Sequence, residues 1–190
     1  MMMLSSKARI LWIKWHAYVS CFFLPFALLV AITGILYLFD MKGGASESFE
    51  YTITTDQTFP LKEKSAEQFM VNYFSENGLT QHLPLPDNYF LDHDVQGWWD
   101  FHSEVVLIPQ ENNQLKVILE TNDFWRQMLY IHKGLAGKVF VVFGILFGIS
   151  LLFSLISGTI VALVMPKLKK NAMVFMLGGG VSLVLMYFIS

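Results

Sequence analysis

Charge is scarce in this chain and disulfide chemistry is excluded. Only 15% of the 190 residues are Asp, Glu, Lys or Arg, and Cys21 is the single cysteine, so no intramolecular disulfide can form. No dinucleotide fingerprint or phosphate loop is present, so any electron donor has to be a separate molecule. Ser, His and Asp occur, but no nucleophile motif frames them, which argues against hydrolytic catalysis. The net charge of −2 discriminates nothing.

What the chain has instead is hydrophobicity, 54% of residues, gathered into runs. A spanning helix needs about 20 apolar residues at about 1.5 Å rise each. Ala17 to Phe39, Val139 to Met165 and Ala172 to Ile189 qualify, and none carries a charge. The third is short and holds Gly178, Gly179 and Gly180, which lipid tolerates better than water does. Lys7, Arg9 and Lys14 ahead of the first run suggest a secretory signal. However, the run is too long for one, and Asp40, Met41 and Lys42 follow it where small residues would mark cleavage, so it reads as a retained anchor.

Lys7, Arg9 and Lys14, with Lys167, Lys169 and Lys170 between the second and third runs, place both groups in the cytoplasm by the positive-inside rule, against the weaker contrary signal of Lys133 and Lys138. Trp12 and Trp15 then suit an inner interfacial belt, and Trp125 and Tyr130 an outer one. The expected organisation is residues 1–39, cytoplasmic N-terminus and first span; 40–123, a domain outside; 124–166, second span; 167–171, a cytoplasmic loop; 172–190, third span. This organisation is that of a multi-pass membrane protein with a cytoplasmic N-terminus.

The outer segment is near the lower size limit for an independent core. Tyr51 to Thr55 alternates as a strand. Ser65 opens a helix presenting Phe69, Met70, Tyr73 and Phe74 and stopping at Asn77-Gly78, while Pro84 and Pro86 break the chain. Strands follow at Trp98 to Phe101, Glu104 to Ile108 and Leu115 to Glu120, the last two a hairpin through Gln110 to Asn113. The fold class is therefore an α-helical membrane protein of three transmembrane helices with a small α+β domain outside.

Two histidines stand at the edges of the first two runs, His16 and His132. An ionisable ring at a bilayer boundary is a functional candidate, and in a membrane histidine suggests haem. The plainer reading is that each ring simply faces head groups. Small residues that would let a porphyrin approach recur as Ser20, Ala27, Ala31 and Gly34 in the first run, and as Gly137, Val141, Gly144 and Gly148 with Ser154 and Gly158 in the second, although such patterns also serve close helix packing. With the first run leading outward and the second inward, His16 and His132 fall at opposite faces, about 30 Å apart, too far to ligate one iron. A parallel twofold homodimer instead brings each ring to its own mate. Outside, Asp92, His93, Asp94, Asp100, His102 and Glu104 form a tentative iron site, carboxylate oxygen suiting ferric iron and imidazole adding affinity for ferrous iron. If Trp98 to Glu104 is a strand, Asp100, His102 and Glu104 share a face. Solvated surface residues are the plainer reading here too, and His82 has no assigned role.

Trp15-His16 with Leu24-Pro25-Phe26 and Ile32-Thr33-Gly34-Ile35-Leu36 resembles the first span of the PepSY-associated transmembrane family. Leu129-Tyr130-Ile131-His132-Lys133-Gly134 with Gly137-Lys138, then Ser157-Gly158-Thr159, resembles its next span. The resemblance covers residues 9 to 166. It implies a PepSY-like outer domain. The three-span size is similar to family members linked to iron reduction beside a ferrous iron transporter, and larger relatives are siderophore-iron reductases holding b-type haem on membrane histidines. The expectation is a haem-dependent ferric reductase. Its cofactor is non-covalent haem b on His16 and His132, shared across a homodimer, its substrate ferric iron, and its donor a quinol or a flavin reductase. It feeds a ferrous iron transporter and has no nucleic-acid partner. The rivals are a non-enzymatic membrane adaptor or regulator of a transporter or protease, and an accessory that delivers iron without reducing it.

Overall fold

A computed structural model describes residues 6–189, with side chains from residue 10 onward. The side chains of Lys7 and Arg9, used in the orientation argument, and Ser190 at the end of the expected third span lie outside the described residues. Three helices are long and apolar enough to cross a membrane: α1 (Ser6–Leu38), α4 (Lys138–Val164) and α5 (Pro166–Ile189). Trp15, Phe22, Leu28, Leu152, Phe175 and Tyr187 are exposed on them, the signature of an element whose solvent is hydrocarbon rather than water. Pro25 sits inside α1, as membrane helices allow.

The chain divides into two compact units, one holding residues up to Leu28 and from Ile145, the other Leu29–Gly144. The second contains a five-stranded antiparallel sheet. Its strands are β1 (Ala45–Thr54), β2 (Asn88–Asp92), β3 (Val95–Trp99), β4 (Ser103–Gln110) and β5 (Gln114–Asn122), in the order β1-β5-β4-β3-β2. Helix α2 (Glu63–Glu76) lays Ala66, Met70 and Phe74 against Ile53, Trp98, Val105, Leu107, Leu115, Val117 and Leu119, all buried. The period-2 alternation of β4 and β5 sends these residues to one face of the sheet. At roughly 1.5–3 kcal/mol per fully buried large apolar side chain, this cluster holds the small domain together.

The hairpin through Gln110–Asn113 is present, with Asn112 and Asn113 taking the positive φ that the short loop requires. Helix α2 ends at Asn77-Gly78 as its sequence signals, but begins at Glu63. Its N-cap is Lys62, whose side chain makes no capping hydrogen bond, so Ser65 does not open it. Strand β1 starts six residues ahead of Tyr51, and β2 was unforeseen. Residues 124–166, expected as one spanning segment, hold two helices. Helix α3 (Phe124–Lys133) is closed by Gly134 in the left-handed conformation, and Gly137, also at positive φ, precedes α4.

Candidate functional site

In the unit built from residues up to Leu28 and from Ile145, His16 is half-buried on α1 and faces α4. Its Nδ1 lies 2.7 Å from the Ser157 hydroxyl oxygen. That hydroxyl has one hydrogen, and it also reaches the Ser154 carbonyl at 3.1 Å. With the hydroxyl hydrogen on that carbonyl the oxygen accepts from an Nδ1–H ring; in the other tautomer the hydroxyl donates to Nδ1 instead. Ser157 is 1% exposed, so its oxygen has no competing water. One turn along, Ser20 and Ser154 hydroxyls meet at 3.2 Å, and Trp12 packs on Phe153 at 5.1 Å. Hydroxyl pairs of this kind hold helices together where lipid offers no polar partner.

In the other unit the same chemistry recurs on different elements. Asp123 caps α3 by accepting the Arg126 backbone N–H at 2.7 Å, and Leu129 and Ile131 bury the helix's inner face. His132, in the last turn, places Nδ1 2.8 Å from the Thr33 hydroxyl oxygen of α1. Thr33 is 5% exposed and its hydroxyl also reaches the Leu29 carbonyl at 2.7 Å, so its oxygen is placed to accept from His132 in the Nδ1–H tautomer. A Cβ built on Gly34 would lie 3.2 Å from His132 Cε1, so the missing side chain is what lets the ring lie against α1. Among the described residues, neither Nε2 makes a hydrogen bond.

This arrangement suits a metal-bound porphyrin. Histidines that ligate metals characteristically donate the other ring N–H to a fixed acceptor, which sets tautomer and orientation. Both rings are placed to do so in the Nδ1–H tautomer, which turns Nε2 away from the hydroxyl partner. The glycines of the second run add room: nothing lies within 4 Å of a Cβ built on Gly144, Gly148 or Gly158. In the sequence, Thr33 and Ser157 stand out only as members of the stretches that carry the family resemblance. The signal that would have singled them out is a hydroxyl inside an apolar run facing a histidine.

The six outer residues do not come together. Asp92 ends β2 and His93 occupies the β2–β3 turn at positive φ with Asp94, the Asp92 carboxylate lying 2.8 Å from His93 Nδ1. Asp100 and His102 belong to the turn between β3 and β4, so the expected shared strand face with Glu104 does not exist. The Asp100 carboxylate instead accepts from the backbone N–H groups of His102 and Ser103 at 2.6 and 2.7 Å, organising the turn. Glu104, the second residue of β4, is half-buried, 3.6 Å from the Arg126 guanidinium, which bonds Glu120 at 2.8 Å. Burial pushes the Glu104 carboxyl above its ordinary value, Arg126 partly offsetting this and Glu120 reinforcing it. Tyr130 is raised by burial first and by Glu104 second. Among the described residues, no group of three or more His, Cys, Asp or Glu is gathered as a metal ion would need. His82 packs against Phe49 and Phe74.

No family model, no curated protein and no solved structure matches the chain. The fold and the two sites define the class on their own terms. It is a chain with three helices long and apolar enough to cross a membrane, a small antiparallel sheet domain, and two histidines each locked by a hydroxyl from a facing helix.

Proposed function

We propose that the protein is a haem-dependent ferric reductase of a bacterial inner membrane, moving single electrons outward to ferric iron for uptake as ferrous iron. The observation that carries this reading is the pair of hydroxyl contacts at Nδ1: Ser157 meets His16 and Thr33 meets His132, each from a facing helix, and in this reading both rings take the Nδ1–H tautomer that presents Nε2 to iron. Non-covalent haem b held at such nitrogens supplies one-electron chemistry, its potential set by axial ligands and their hydrogen bonds. The chain's own part is to present the two nitrogens, keep water from Nδ1, and leave glycine-lined surface on α4. His16 is the only histidine on α1 and His132 the only one on α3, and α4 and α5 have none. A second imidazole for each site is therefore assigned to a homodimer partner. The PepSY-like character of the sheet domain, its periplasmic side, a quinol or flavin reductase as donor, and a ferrous iron transporter as recipient belong to the same reading.

Anaerobic protein reduced with dithionite, freed of excess reductant and mixed with ferric citrate tests it. Reoxidation of the visible bands in step with ferrous iron captured by a chelator is the expected result. Protein that carries haem but is not reoxidised would overturn the reductase assignment, and the adaptor reading would replace it.

A further inference from the structure

The face of the sheet turned away from the α2 core carries a cavity of about 220 Å³ lined by Phe90, Trp99, Glu104, Tyr130 and Leu135. Several local features shape it. Trp99 and Glu104 are cross-strand partners in register, so their side chains rise together on this face. Trp99 and Tyr130 meet edge to face, with centroids 5.7 Å apart. Phe90 lies over Gly97, where a Cβ would come within 2.9 Å of its ring and would overlap the Val105 carbonyl oxygen, so only glycine lets the ring lie flat there. Three aromatic rings and one half-buried carboxylate thus line the same open cavity.

The charge beside the rings is not balanced. Glu104 and Glu120 are cross-strand partners on the same face, and both turn to the single guanidinium of Arg126, which sits 0.8 Å closer to Glu120 by the difference of 3.6 and 2.8 Å. One negative charge is left over, and the looser of the two contacts belongs to the residue that lines the cavity. Aromatic faces are negative and attract cations, the more strongly the more the site is shielded from water. A cavity smaller than the about 300 Å³ at which pockets for drug-sized ligands begin suits a head group rather than a porphyrin or a peptide.

We propose that this cavity binds an organic ammonium group, the rings of Phe90, Trp99 and Tyr130 receiving the cation's methyl or methylene shell and Glu104 supplying the counter-charge. A soluble amine and the amine head group of a lipid share this chemistry. Nothing in the proposal depends on haem.

The test uses the full chain in a maltoside detergent, with choline as the probe and tryptophan fluorescence as the readout. The neutral choline analogue in which carbon replaces the ammonium nitrogen is the control. Saturable quenching by choline, with the analogue weaker by about tenfold, is expected. Glu104→Gln, which keeps the side-chain volume, should weaken choline about tenfold with the circular dichroism spectrum unchanged. Trp99→Phe should remove most of the quenching while leaving binding detectable by calorimetry. Equal binding of choline and its carbon analogue would overturn the proposal, as would unaltered affinity in Glu104→Gln or no binding at all. Repeating the titration in vesicles separates the sources. Choline displaced by phosphatidylethanolamine but not by phosphatidylglycerol assigns the site to a lipid head group, and choline bound equally in both assigns it to a soluble amine.

Discussion

The His16 and His132 sites solve one chemical problem with different scaffolds. In both, a buried hydroxyl that also reaches a backbone carbonyl of its own helix meets the ring at Nδ1. His16 is held by a seam between two long apolar helices, assisted by the Ser20–Ser154 contact. His132 is held by a ten-residue helix that has its own N-cap, a left-handed glycine stop and a glycine facing the ring. The difference teaches that the tautomer is the shared requirement, while the means of fixing the ring depend on the local solvent. Where the surroundings are lipid, hydroxyl pairs between helices suffice. Where a water-exposed domain joins the helices, capping and backbone conformation do the positioning.

The strongest way to break the comparison is to remove each ring. Under the haem reading, His132→Ala is expected to abolish or greatly reduce bound haem, counted per chain on purified protein. Full retention in that variant would move ligation to His16 alone. Next in size are the acceptors. Thr33→Val and Ser157→Ala remove the partner of Nδ1 and should each lower haem affinity by about 10–100-fold, as loss of a ligand's hydrogen-bond partner does elsewhere. Thr33→Ser restores the hydroxyl and should recover most of it. In haem-free protein, imidazole nitrogen chemical shifts should show Nδ1–H tautomers that become mixed in the two variants, and unchanged shifts would remove the tautomer argument.

Asp123→Ala sharpens the contrast, because only the His132 helix depends on that cap. A loss of about 1 kcal/mol in the unfolding free energy of the outer domain is expected, with no change at His16. Smaller still is Gly34→Ala, where the His132 ring must yield by a few tenths of an ångström. A modest loss of haem affinity is expected there, whereas Gly178→Ala, with open space around it, should be silent.

Stability against pH offers the mildest test. The Glu104 carboxyl is raised above its ordinary value by burial, so the folded state holds that proton more tightly than the unfolded state. The associated stability is present below the unfolded value and is lost as pH rises through the raised one. Glu104→Gln should flatten chemical-denaturation stability across that window, and an unchanged slope would contradict the burial argument.

Much of the fold is legible in the sequence, and the exceptions have physical causes. Apolar runs announce the three long helices because each is hydrophobic all round. The Gln110–Asn113 hairpin and the Asn77-Gly78 stop are legible because turn residues stand where positive φ or a helix end requires them. Strand β2 is not, since Asn88–Asp92 follows two prolines and is an edge strand with three of its five residues exposed. Helix α3 is hidden because its pattern runs directly into the second apolar run, and only the backbone at Gly134 and Gly137 divides them. The acidic line of Asp100, His102 and Glu104 fails for the opposite reason. Strand periodicity was carried across residues 100–102, which form a turn, and the turn breaks the parity on which a shared face depends. The histidines were legible as candidates. Their acceptors were not, because a hydroxyl's role depends on which helix it faces, and spacing along one chain does not reveal that.

The central claim is that His16 and His132 are set to ligate haem, and the visible spectrum of the detergent-purified protein from haem-replete cells, oxidised and after dithionite, tests it most directly. A Soret band that shifts and sharp α and β bands on reduction, with half to one haem per chain, is the predicted result. A colourless protein would contradict it.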